Sequence, residues 1–89
     1  MKDKTIRIHP RRIRSLEELE EILSKLESLG DDYGVALLQN RQFGGSYHLV
    51  TRKEYEANKY KNGKIEFYCK FWPRSYFERL REKFLNKNE

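Results

Sequence analysis

The sequence has little of what usually staples a small protein. Among its 89 residues there is one cysteine, Cys69, which excludes an intrachain disulfide. A single unpaired thiol also fits a reducing compartment. Met1 is the only methionine, Trp72 the only tryptophan, and no apolar run approaches the length that spans a bilayer. Met1 to Ile8 mix Lys2, Asp3, Lys4 and Arg7 with few apolar side chains, unlike a targeting signal. These absences lead us to expect a cytoplasmic protein with no membrane partner. Two histidines, His9 and His48, and one cysteine have no paired spacing that would ligate a metal, and there is no Gly-rich phosphate loop. No catalytic residue, metal ligand or cofactor is assigned on these grounds, and a binding role is expected ahead of an enzymatic one.

What is present is charge. Apolar residues make up 37% of the chain, enough for one modest core, so residues 1–89 read as a single α+β domain. With so small a core and no disulfide, a homodimer would supply missing burial. The net charge of +5 conceals a division. Residues 15–32 carry seven acids against Lys25 alone, a net −6, and the remaining 18 cations and seven acids leave +11 elsewhere. A surface of that sign attracts polyanions by long-range steering and counterion release, and nucleic acid is the commonest polyanion in a cell.

Three Ser/Thr-x-x-Glu boxes mark helix starts: Ser15 with Glu18, Thr51 with Glu54, and Ser75 with Glu78. After the first, Leu16, Leu19, Ile22, Leu23, Leu26 and Leu29 recur at spacings of three and four up to Gly30, which predicts a helix over 16–29. Phe77, Leu80 and Phe84 form a stripe that predicts a helix over 76–86. Residues 52–60 offer only Tyr55, Ala57 and Tyr60 for burial and read as a short helix or an irregular arm, ended by Asn62-Gly63. Strands are expected at 5–9, 33–39, 46–50 and 64–72, with Gly44-Gly45 turning into the third. In the last, Ile65, Phe67, Cys69 and Phe71 alternate with Glu66, Tyr68, Lys70 and Trp72. The order is β-α-β-β-(α)-β-α, a small, mainly antiparallel four-stranded sheet with helices, with the ferredoxin-like split βαβ arrangement preferred. If 52–60 is not helical, the chain reads as an α-β-β-β-α domain of the double-stranded-RNA-binding type with an extra N-terminal strand.

Three groups of residues suit a nucleic acid. Tyr68, Lys70 and Trp72 alternate along one strand, so two rings that can stack on bases share a face with a cation, and Arg7 and His9 on a neighbouring strand extend it. The same rings suit burial slightly better than exposure, as core beneath the C-terminal helix or within a dimer interface. Arg11, Arg12 and Arg14 follow Pro10 as a cluster of guanidiniums suited to bidentate phosphate contacts, and Arg74 opens a basic face with Arg79, Arg81 and Lys83. Arg41 precedes the third group, Gly44-Gly45-Ser46-Tyr47-His48. Cys69 is expected in the core beside Ile65 and Phe67.

This third stretch resembles the loop and strand of HicA-type toxin ribonucleases, in which a basic residue and Gly-Ser-His precede a strand after a first helix. Here Tyr47 follows Gly-Ser, and His48 falls one place later, on the other side of a strand. From Phe43 to Lys64 the chain is also similar to RNA-recognition-motif domains from their third strand onward, although strand 5–9 lacks the aromatic such domains use for stacking. The sequence therefore leads to a small basic, non-enzymatic nucleic-acid-binding protein, RNA or DNA undecided. The alternative is a protein-interaction module or inhibitor of the viral or mobile-element kind, whose acidic helix (Glu17, Glu20, Glu21, Glu27) meets a basic partner. A toxin-type ribonuclease using His48 ranks third.

Overall fold

A computed structural model describes residues 4–59, 61 and 63–86. It is an α+β fold with a four-stranded antiparallel sheet and three helices. The first helix, α1 (Leu16–Leu29), starts where the sequence says it should. Ser15 is extended (φ −144°, ψ 157°) and its Oγ accepts from the Glu18 N–H at 3.2 Å. The Glu18 carboxylate reaches back one residue beyond the usual box, to the Arg14 N–H at 2.9 Å. Gly30, at φ 136°, closes the helix by donating to the Leu26 carbonyl. Leu19, Ile22, Leu23 and Leu26 are all buried.

Four strands follow from the alternation, with adjusted ends. They are β1 (Thr5–Ile6), β2 (Tyr33–Asn40), β3 (Gly44–Thr51) and β4 (Glu66–Pro73), joined as β1-β3-β2-β4. The helix α2 (Arg52–Ala57) links β3 to β4 and α3 (Arg74–Asn86) ends the fold. Tyr60 and Asn62, expected at the end of α2 and in the turn after it, lie outside the described residues. The helical form of 52–57, capped by Thr51 Oγ1 accepting from the Glu54 N–H at 3.0 Å, selects the β-α-β-β-α-β-α order over the one without α2.

Every neighbouring pair of strands is antiparallel. Hence β1 and β2 run parallel with β3 between them, the split βαβ unit, and β3 and β4 run parallel with β2 between them. Both crossovers step the same way across the sheet but leave from strands of opposite direction. The common right-handedness of such connections then places α1 and α2 on opposite faces. α3 returns to the α1 side, where Leu19, Ile22, Leu23, Leu26, Val35, Leu49, Trp72 and Phe77 form the core. Leu80 and Phe84 pack against that core, so the apolar stripe of α3 is occupied within one chain. On the opposite face Tyr55 of α2 meets Phe71 and Tyr68 at ring-centre distances of 5.2 and 6.3 Å. Phe71 crosses Gly34, where an added Cβ would lie 2.6 Å from the Phe71 ring and 2.5 Å from the Trp72 carbonyl oxygen.

Four local expectations are corrected. The hairpin turn is made by residues 41–43, because Asn40 Oδ1 accepts from the Gln42 and Phe43 N–H groups at 2.8 and 3.1 Å; Gly44 and Gly45 are already paired with Asn40 and Gln39. α3 begins at Arg74 directly after Pro73, which places Ser75 inside its first turn rather than at its cap. β1 stops at Ile6 instead of His9, since the chain bends away at Ile8 and turns at Pro10.

The fourth correction matters most. In β4, Leu37 pairs with Lys70 and Leu38 with Tyr68, so Cys69 is the extra residue of a β-bulge. The bulge breaks the period of two. Lys70 and Trp72 face α1 and α3, Tyr68 faces α2, Cys69 is exposed rather than in the core, and Ile65 is 52% exposed. Partial burial holds the Cys69 thiol above its ordinary pKa, opposed by a backbone hydrogen bond. The native protein should therefore be alkylated completely by iodoacetamide without denaturant, with a rate that rises at higher pH than for a free cysteine peptide (about 8.5). A thiol that reacts only after unfolding would place Cys69 back in the core.

Candidate nucleic-acid interface

The site begins with a turn. His9, Pro10, Arg11 and Arg12 form a β-turn closed by Arg12 N–H donating to the His9 carbonyl at 2.9 Å, with proline at the position whose φ it pre-sets. The Arg11 N–H donates to His9 Nδ1 at 3.0 Å, so the neutral ring carries its proton on Nε2. Pro10 is fully buried, and its carbonyl accepts from the Tyr76 hydroxyl of α3 at 3.0 Å. The backbone that carries Arg11 and Arg12 is thus fixed from both sides while their side chains remain exposed.

This turn lies against the sheet because His9 packs on aromatics from two strands. Its ring is 5.0 Å from that of Tyr47 on β3 and 6.3 Å from that of Trp72 on β4, and Tyr47 and Trp72 are 6.0 Å apart. Tilted and edge-to-face packing across the face, in place of a third pairing with β3, explains why β1 is short. Lys70 Nζ stands 5.4 Å over the Trp72 ring, a cation–π contact. The result is a hollow of about 420 Å³ walled by His9, Tyr47, Trp72 and Leu37, with Arg11, Arg12 and Lys70 at its rim and, among the described residues, no acidic residue in its lining. Among the described residues the Arg11 and Arg12 guanidiniums have no carboxylate partner.

Of the residues singled out from sequence, Arg11, Arg12, Lys70 and Trp72 come together here, with His9. Trp72, at 6% exposure, forms the floor as part of the core, and the more open aromatic wall is Tyr47 with His9. Tyr47, which the sequence offers only as part of the Gly44–His48 stretch, joins the site from β3. Its signal is the hairpin register, Leu37 with Tyr47, which the sequence expectation of a Gly44-Gly45 turn obscured.

The others lie elsewhere. Tyr68 is on the α2 face, where burial and then the nearby carboxylates of Glu54 and Glu66 push its phenol pKa up, surroundings that disfavour a phosphate. Arg7 lines a separate cavity between β1 and α1 with Glu21 and Lys25. Arg14 is exposed at the start of α1. Arg41 sits at the hairpin end, its guanidinium 5.7 Å from the Phe67 ring centre. Arg74 is committed within the chain, reaching Asp31 at 3.2 Å, Glu27 at 3.6 Å and Glu78 at 4.0 Å, a clamp between the ends of α1 and α3.

The acidic helix is also engaged internally: Glu20 meets Arg81 at 3.7 Å and Glu21 meets Lys25 at 3.8 Å, besides Glu27 with Arg74. His48 lies on the α2 face of β3, its Nε2 2.8 Å from Ser46 Oγ and across the sheet from the hollow. Among the described residues no group of three His, Cys, Asp or Glu side chains is placed to hold a metal ion, and no helix is long and apolar enough to cross a membrane. No protein-family model, curated protein or solved structure matches this chain.

Proposed function

We propose that the chain binds nucleic acid at the hollow, with backbone phosphates on Arg11, Arg12 and Lys70 and a base against Tyr47 and His9. The reading is carried by one observation: cations from a turn and from a strand some sixty residues later converge, without an acid, around a single aromatic-walled hollow. Guanidiniums on a fixed turn bind planar phosphate oxygens with little ordering cost, and base–aromatic contact is tolerant of sequence. The role proposed is retention of a strand rather than its cleavage.

Fluorescence anisotropy with labelled single-stranded RNA, single-stranded DNA and duplex, begun at about 50 mM salt, tests it. Affinity should fall steeply as salt rises. Replacing Arg11 and Arg12 together by alanine should reduce the log–log slope by about 1.4 to 1.8, two phosphate contacts at 0.7 to 0.9 each. No binding below about 100 μM, the weak end of non-specific affinities, or an unchanged slope in the double variant, overturns the assignment.

A further inference from the structure

We infer that the nucleic acid held here is a single strand, laid along the part of the sheet that the helices leave open and reaching Phe43 at the hairpin tip; this rests on the nucleic-acid reading of the hollow. Strand register arranges the α1–α3 face in three rows: Leu49-Val35-Trp72, then Tyr47-Leu37-Lys70, then Gly45-Gln39-Phe67. The first row belongs to the helix-covered core, Tyr47 and Leu37 of the second wall the hollow with Lys70 at its rim, and in the third Gly45 is exposed and Gln39 half-buried while Phe67 is buried. The accessible surface therefore continues from the hollow toward the tip along β3 and β2, over Gly45 and Gln39. Gly45 places no side chain between Tyr47 and the tip, and Arg41 lies over Phe67 beside this path.

At its end stands Phe43, 86% exposed. The loop that carries it is held by the two hydrogen bonds to Asn40 Oδ1 and by Arg41 N–H donating to the Ile65 carbonyl at 3.0 Å. A phenyl ring this exposed buries little apolar surface and so adds little to the stability of the chain. Tyr47 stands four positions further along the chain, at most about 14 Å away at the usual strand rise of ~3.4 Å per residue. That span suits the two or three bases that a four-stranded sheet commonly stacks. A duplex buries the faces of its bases against one another and would offer Tyr47 and Phe43 phosphates, sugars and base edges but no π-face, whereas an unpaired strand offers a π-face to each and charge to Arg11, Arg12, Lys70 and Arg41.

The test compares wild type, Phe43→Ala and the Arg11→Ala/Arg12→Ala double variant on labelled single-stranded RNA and DNA of about ten nucleotides and on a duplex. Phe43→Ala should weaken single-strand binding on the order of 5- to 150-fold, the loss expected of one stacked base, and leave the salt slope, duplex binding and melting midpoint unchanged. The double variant should lower the salt slope on every probe. RNA and DNA arms show which sugar is preferred, and either result is compatible with stacking. Single-strand binding within twofold of wild type in Phe43→Ala, or a duplex bound more tightly than single strands, overturns this inference while the phosphate site stands. Absence of binding by the wild type to all probes overturns both.

Discussion

Trp72→Ala is expected to lower the free energy of unfolding by about 3 to 5 kcal/mol, the usual range for deleting a buried aromatic. Trp72 is 6% exposed and lies in the cluster that includes Leu19, Leu23, Val35, Leu49 and Phe77. It is also the surface on which His9, Tyr47 and Lys70 are arranged. Its loss leaves a cavity beneath both the helices and the Arg11-Arg12 turn. A small domain has only about 5 to 15 kcal/mol in all, so this variant should be partly unfolded at 37 °C. Urea titration followed by far-ultraviolet circular dichroism measures the effect without the tryptophan signal. A variant with full stability and lost binding would mean that the ring is a free stacking surface, contrary to its place in the core.

Leu23→Ala should cost about 2 to 5 kcal/mol, the spread reflecting how far the surroundings collapse into the space left behind. Leu23 is 1% exposed at the centre of the buried stripe of α1, between Leu19 and Leu26, which are both fully buried. The same denaturation assay reads the loss, and Glu17→Ala, on the exposed face of the same helix, serves as the control within about 0.5 kcal/mol. Equal midpoints for wild type and Leu23→Ala would show that α1 turns another face to the sheet.

Both expectations follow from the crowding of a small core. α1 supplies four side chains buried on one face, and the sheet answers with Val35, Leu49 and Trp72, one from each of three adjacent strands. The hollow begins where that covering ends. Binding and stability therefore meet at Trp72, and substitutions that separate them must be taken from the rim, at Arg11, Arg12, Tyr47 or Phe43.

Period and punctuation in the sequence determined α1 with its Ser15 cap and Gly30 stop, the four strands in order, and the apolar stripe of α3, while for the segment after Thr51 they left a helix and an irregular arm both open. These are local matters, decided by hydrogen bonds and side-chain spacings within one or two turns of chain. The cationic excess outside residues 15–32 and the pair Arg11-Arg12 were legible as well, because charge needs no fold to be counted.

Which residues share a surface was decided only by tertiary structure. One extra residue at Cys69 turns Tyr68 away from Lys70 and Trp72, since the strand period is two and a single insertion reverses everything beyond it. The direction of the second crossover puts α2 and Tyr55 on the far face, and Arg74 is drawn to Asp31 and Glu27, forty or more residues earlier in the chain. His9 leaves the strand the sequence proposed for it because packing on Tyr47 and Trp72 takes the place of another pair of backbone hydrogen bonds. Alternation alone cannot locate a bulge, and charge alone cannot say which arginines are already paired; both depend on contacts between segments distant in the chain.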